Sequence, residues 1–210
     1  MRETKSIILN AALHLFNGEG FVNVRLQHIA DEANISVGNL AYHFEKKQDI
    51  LLQLYQQIES RQKELLNELN IVPLFEHLDF HWDNVYEVQD RYKFFYIDTL
   101  EVIRSNATIA EKHQSHVAWE IKQFIQMIQF NISRGSIREL QSQGDIERIA
   151  NLLWMYESSC LLQELIKGRK HGLTEMKENL WSILRPYFTD LGEQEFQQMK
   201  ALQLGNSSFG

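Results

Sequence analysis

Residues Ile29 to Phe44, IADEANISVGNLAYHF, constrain this chain more than any other stretch, because two short helical periods meet there across residues suited to a tight turn. Leu26, Ile29, Ala30 and Ala33 recur at i, i+3, i+4 and i+7, one face of a helix, and the small Ala30 lets a second helix cross closely. Asn34 stands where that helix must end. Asparagine is among the few non-glycine residues that tolerate a left-handed backbone, so the chain can turn there without strain. Ile35 fills the space between the helices, and the Ser36 hydroxyl can cap the N–H groups of a new helix opening at Val37. The pattern predicts a helix-turn-helix over about residues 25–44.

On the second helix Leu40 and Phe44 lie i, i+4 apart and point inward, which leaves Val37, Gly38, Asn39, Ala41, Tyr42 and His43 for the outer surface. Those residue types suit DNA. Asn39 can read base edges, a small or β-branched apolar side chain such as Val37 can touch a thymine methyl, and Ser36, Tyr42 and His43 can hydrogen-bond phosphates. Lys47, just beyond Phe44, offers a charged phosphate contact at the start of the next helix.

From Thr4 to Leu54 the order ILNAALHLF, then GEGF, then IADEANISVGNLAYHFEKKQDIL resembles the DNA-binding domain of the TetR family of bacterial repressors. Gly20 and Phe21 follow the first helix, Ile29, Ala30 and Ala33 sit in the second, and Ser36 to Leu40 open the third, without gaps. A helix-turn-helix pattern alone is far less specific. Three positions depart from the family pattern. Val24 and Arg25 stand where Thr or Ser is usual, so the resemblance implies that Arg25 takes over a hydroxyl–phosphate contact. Asn34 replaces the usual Gly, and Ala41 replaces a frequent Tyr, which removes one phosphate contact and shifts affinity or site choice.

Composition adds limits. A chain of 210 residues with 44% apolar residues and two prolines can bury a sizeable core in one or two helical domains. Net charge is −7, and residues 1–62 hold six Lys/Arg against seven Asp/Glu, so bulk charge gives no support to DNA binding. Attraction must come from locally arranged positive groups, helix N-termini and a dimer that doubles each contact. No apolar run approaches the ~20 residues of a membrane span and the N-terminus lacks a signal-peptide core, so a cytoplasmic protein without membrane partners is expected. Cys160 is the single cysteine and reads as a small buried apolar residue.

Helical periods continue almost to the end. Ile8, Leu9, Ala12, Leu13 and Phe16 form the stripe of the first helix, and Ile50, Leu51, Leu54, Tyr55 and Ile58 that of a linker helix over about 46–69. Beyond Pro73 aromatics become dense, and later helices are predicted over about 109–134, 145–167 and 173–191, with breaks at Gly135, Gly144, Gly168 and Gly172. Pro186 implies a kink or an earlier end to the last of these. One more short helix follows Gly192. The expected fold is all-α: an N-terminal three-helix DNA-binding domain over residues 1–62, a larger helical ligand-binding and dimerisation domain over 63–205, and a disordered tail over 206–210.

In the second domain Phe95, Tyr96, Trp119, Gln123, Phe124, Met127 and Trp154 supply an apolar set with a few polar groups, the usual design of a small-molecule site; core packing is the competing reading. Glu157, an acid amid apolar neighbours, can meet a ligand, cross a dimer interface or reach solvent. The helices from Asp145 and Leu173 each present two apolar faces, one for the core and one for a partner. The resemblance implies a homodimer through a four-helix bundle of these last two long helices, with Leu153, Leu161, Leu180, Ile183, Leu184 and Tyr187 as candidate contacts.

His77 with His81, and His113 with His116, are spaced to share a helix face, yet their polar surroundings predict solvent exposure. No Glu-x-x-His repeat, GxSxG elbow, phosphate-binding Gly-rich loop or HExxH run is present, so neither a metal, a cofactor nor catalysis is expected. The resemblance implies a ligand-responsive transcriptional regulator, a repressor released from a palindromic operator by a small, largely apolar ligand. Two copies of the reading helix would enter successive major grooves roughly 34–36 Å apart, and a ligand that pulls the linker helix would spoil that spacing. The alternative is an all-helical small-molecule or metal-binding protein or enzyme whose N-terminal motif is structural.

Overall fold

The computed structural model describes residues 2–69, 74–169 and 172–206, and among them every regular element is helical. The helices are α1 (Arg2–Glu19), α2 (Leu26–Glu32), α3 (Val37–His43), α4 (Lys47–Leu69), α5 (Phe75–Arg91), α6 (Lys93–Ile97), α7 (Thr99–Ser105), α8 (Ala107–Ser133), α9 (Gln143–Lys167), α10 (Gly172–Leu184) and α11 (Asp190–Asn206). Among the described residues one isolated antiparallel bridge joins Ile137 to Phe188. No helix is long and apolar enough to cross a membrane among the described residues.

The chain packs as two compact units, one of Met1–Gln62 with Val88–His116, the other of Lys63–Glu87 with Val117–Gly210. Residues 88–116, which follow the sequence boundary near 62, therefore pack with the N-terminal helices. In the first unit α1 buries Ile8, Leu9, Ala12, Leu13 and Phe16, the stripe its period predicts. The Phe16 ring meets Phe21 edge-on at 5.3 Å and Phe94 at 5.4 Å. Asn17, one residue on, donates to the Arg91 carbonyl at 2.8 Å and accepts from the Phe94 N–H at 3.1 Å, so α1 holds the corner where α5 gives way to α6.

The second unit is organised around Trp181 of α10, whose ring meets Phe75 at 5.3 Å, Trp82 at 4.9 Å and Phe196 at 5.1 Å. Its indole N–H donates to Asp79 at 2.7 Å, and Lys177 reaches Asp79 and Asp83, each at 2.5 Å. Gln203 of α11 also donates to Asp79. Arg134 at the end of α8 grips Glu195 of α11 through two guanidinium nitrogens, and Gly192 lies so close to the Ser136 carbonyl that a Cβ there would collide with it.

Pro186 ends α10 two residues earlier, and Arg185–Tyr187 close as a 3-10 turn, one of the two outcomes expected of a proline in that pattern. Gly144 is no break: it is the second residue of α9, where the first-turn N–H groups need no intrahelical partner. Gly168, by contrast, closes α9 in the left-handed conformation at φ 65°. Asn206, assigned to the tail by sequence, closes α11, and residues 207–210 lie outside the described residues.

Candidate functional site

The turn between α2 and α3 is built as its residues demand. Asn34 takes φ 53°, the one positive φ outside glycine among the described residues. Its N–H donates to the Asp31 carbonyl and that of Ile35 to the Ala30 carbonyl, both at 3.0 Å, the paired bonds of a Schellman stop. Ser36 then caps α3, its hydroxyl accepting from the Asn39 N–H at 3.1 Å. Leu40 and Phe44 are buried, while Gly38, Asn39, Ala41 and Tyr42 are exposed, Tyr42 to 75%. Val37 and His43 are half-buried at the edges of this face. Arg25, at the N-cap of α2, is also exposed.

Lys47 is placed differently from its sequence reading. Its ammonium donates to the carbonyls of Phe21 at 2.7 Å, Val24 at 2.6 Å and Val22 at 3.3 Å, and lies 4.3 Å from the Phe21 ring centroid. Burial lowers its pKa. With three N–H donors and three carbonyls, this lysine pins the start of α4 to the loop before α2 rather than presenting a charge to phosphate.

The aromatic and polar set assigned to a ligand divides between the units. In the first, buried Phe95 packs on Tyr55 at 5.4 Å and on His113 at 5.2 Å, and Tyr96 accepts from Gln62, which also meets His116 at 3.0 Å. In the second, Gln123, Phe124 and Met127 of α8 and Glu157 of α9 are buried, whereas Trp119 and Trp154 are half-buried.

Glu157 does not reach solvent: it is 6% exposed, and Nε2 of His81 lies 3.8 Å from its Oε2. Burial first, then the negative charge of Glu120, pushes the Glu157 carboxyl well above its ordinary range, against a smaller pull from the Trp82 indole. His81 is 3% exposed, and burial pulls its imidazole down to about 4, against a weaker upward effect of the Leu65 backbone. Both shifts disfavour the charged forms, so burial works against an ion pair at this contact. Solvent exposure of the histidine pairs is thus corrected for His81 and His116, both buried, while His77 is exposed. Among the described residues no group of three His, Cys, Asp or Glu side chains is placed to hold a metal. Cys160 is buried, its thiol pushed up to about 12 by desolvation first and by the charges of Glu157 and Glu164 next.

A pH signature follows from His81. Because its folded pKa lies below the unfolded 6.5, the neutral ring contributes stability that is fully present above pH 6.5 and lost as pH falls toward about 4. The loss amounts to about 3 kcal/mol. Glu157 acts oppositely, its contribution being lost as pH rises above the ordinary glutamate range. Urea unfolding at pH 7 and pH 4 should show the acid loss shrink in His81→Leu; an unchanged loss would mean the imidazole is solvated.

Of the residues assigned to a dimer contact, Leu153, Leu161, Leu180 and Leu184 are buried inside the protomer, so they belong to its core; Ile183 and Tyr187 are half-buried. The outward face of α9 is another stripe. Leu152 is 48% exposed, Met155 56% and Ile166 73%, with half-buried Ser159 and Leu162 between them. Their spacing of alternating three and four residues is that of a helix-pairing seam.

Comparison with known proteins adds the following. A family model for bacterial regulatory proteins of the tetR family matches residues 8–54, and a second, TetR, described as a bacterial transcriptional repressor, matches residues 53–196. The fold is similar to that of a TetR-family transcriptional regulator from Marinobacter aquaeolei VT8, at 22% identity and a TM-score of 0.82 over 94% of this chain and 97% of that one. It is also similar to a protein from Saccharomonospora viridis in complex with choline, at 20% identity and TM-score 0.71 over 88% and 97% of the two chains. A third likeness is to NalD, the secondary repressor of the MexAB-OprM multidrug efflux pump in Pseudomonas aeruginosa, at 19% and 0.65 over 90% and 98%. At these identities the likeness is one of fold. No curated protein matches the sequence.

Proposed function

This chain belongs to the TetR family of bacterial transcriptional regulators, and from that premise we propose that it is a cytoplasmic homodimeric repressor that leaves a palindromic operator when a small molecule binds. The observation that carries the reading is the outer face of α3. Ser36 caps it, Leu40 and Phe44 anchor it, and Asn39 and Tyr42 stand free on the surface of a helix short enough to enter a major groove. Membership of a regulator family, rather than any missing catalytic motif, supports a role without catalysis. The choline complex of a similar fold supports a small-molecule effector. The outward seam of α9 supports pairing with a second copy.

Selection of bound sequences from a random duplex pool at ~150 mM salt, where weak non-specific contacts are suppressed, tests the reading: a shared palindrome is expected, and no shared sequence would overturn it. On the selected operator Asn39→Ala should relax base preference by about 1–3 kcal/mol at one position of each half-site. Tyr42→Ala should weaken all sequences alike. Lys47→Ala should loosen the reading head without changing the salt slope, since its ammonium already serves three carbonyls. A slope that falls by about one ion per protomer would return Lys47 to the phosphates.

A further inference from the structure

We propose that Lys5 and Lys46, both placed at Phe44 where α3 ends, are the cations that clamp the reading head to backbone phosphates of the operator, in place of Lys47. The inference rests on the operator-binding reading above and names the side chains that supply its electrostatic part.

A head with nearly balanced charge must draw its attraction from a few cations. Among residues 1–62, the Lys and Arg side chains described are Lys5, Arg25, Lys46, Lys47 and Arg61. Lys47 already spends its ammonium on three carbonyls. Arg61 lies roughly 20 Å along α4 from that helix's start, far from α3 in sequence and along the axis. Arg25 stands at the opening of α2. That leaves Lys5 and Lys46 for the end of α3, where exposed Tyr42 also stands.

Geometry brings both lysines to this end. Lys5 precedes Ile8, Leu9 and Ala12 by three, four and seven residues, so it continues the buried stripe of α1 one turn beyond the core. Its ammonium lies 5.6 Å from the centroid of the Phe44 ring. Contact with a ring face uses none of the three N–H donors, which stay available to an anion. Phe44 itself ends α3 in extended backbone, φ −143° and ψ 109°, and exposed Lys46 follows two residues on. The Lys46 backbone N–H donates to Oδ2 of Asp49 at 2.9 Å, so a carboxylate of the chain already meets it. What Lys46 offers a phosphate is therefore its ammonium. The Tyr42 ring, set edge-on to His43 at 5.2 Å, adds a phenol donor. A phosphate oxygen takes N–H and O–H donors with positive charge behind them, and duplex DNA presents such oxygens on both rims of the major groove.

Salt titrations of full-length protein on its selected operator, between about 50 and 200 mM, test the clamp. Lys5→Gln and Lys46→Gln should each lower the salt slope by about two ions per dimer and the affinity roughly thirtyfold at ~150 mM. Arg104→Gln, which removes an exposed cation of α7, should leave the slope as it is. Both lysine variants should keep the wild-type unfolding midpoint and select the same palindrome, since phosphate contacts carry no base information. A second measurement replaces operator phosphates one at a time by uncharged methylphosphonate. The wild type should lose affinity at the clamped positions, and each lysine variant should be indifferent at its own position. Lys47→Ala should retain every sensitive position of the wild type. A wild-type slope or a wild-type phosphate profile in either lysine variant would overturn the clamp alone, the operator still being bound. Failure to bind any duplex would overturn the repressor reading and the clamp with it.

Discussion

Asp79→Ala should lower the unfolding midpoint by roughly 10 °C, the largest stability loss expected from one polar substitution in this chain. Asp79 is 1% exposed, and its carboxylate takes the Trp181 indole N–H, the Lys177 ammonium and the Gln203 amide, so α5, α10 and α11 meet on one group. Removing one partner of a buried ion pair costs about 3–5 kcal/mol, because the other charge keeps its desolvation penalty. In a protein of this length each kcal/mol moves the midpoint by about 2–4 °C. Lys177 retains Asp83, which tempers the loss. Asp79→Asn keeps an acceptor for Trp181 and gives up only the charge, so it should fall between wild type and Asp79→Ala by differential scanning calorimetry. Equal midpoints for the two variants would assign the whole effect to charge, and an unmoved midpoint would mean that the network is solvated.

Local chemistry made the N-terminal unit legible. Turn and cap residues act through bonds to their own neighbours, so Asn34 and Ser36 could be placed from types and spacing alone, and the inward positions of Leu40 and Phe44 followed from helical period. Lys47 shows where that reasoning ends. Its partners are backbone carbonyls more than twenty residues away, and sequence carries no mark of a carbonyl cluster.

In the second unit a helical stripe contained the answer, but polarity concealed it. Leu78, His81, Trp82 and Val85 repeat at i, i+3, i+4 and i+7, and Leu153, Glu157, Cys160 and Leu161 at i, i+4, i+7 and i+8, so His81 and Glu157 occupy core positions of two apolar faces. Judging each residue by its charged neighbours in sequence sent His81 to solvent, whereas its neighbours in space are Phe124 and Glu157. An ionisable residue on an apolar stripe is buried when tertiary packing covers the stripe, and periodicity states where the stripe runs, not what covers it. The same limit explains the dimer residues. α9 has apolar residues on two sides, and period alone ranks neither as outer.

That ambiguity yields the sharpest contrast available in this chain, between adjacent leucines. Leu152→Asp should give a folded monomer whose operator affinity falls by roughly a hundredfold or more, because a dimer engages two half-sites and a monomer one. In an isologous pair the substitution appears twice, and each carboxylate would be drawn into an apolar seam with Met155 and Ile166. Leu153→Ala should act on the fold instead. Its side chain is 0% exposed within the protomer, so truncation leaves a cavity costing about 2–5 kcal/mol while the mass in solution stays that of a dimer. Sedimentation and thermal unfolding of the two variants together separate the faces. If Leu152→Asp remains dimeric with an unchanged midpoint, the outward stripe of α9 is not the pairing surface, and exposed Phe80 and Leu202 become the next apolar positions to charge.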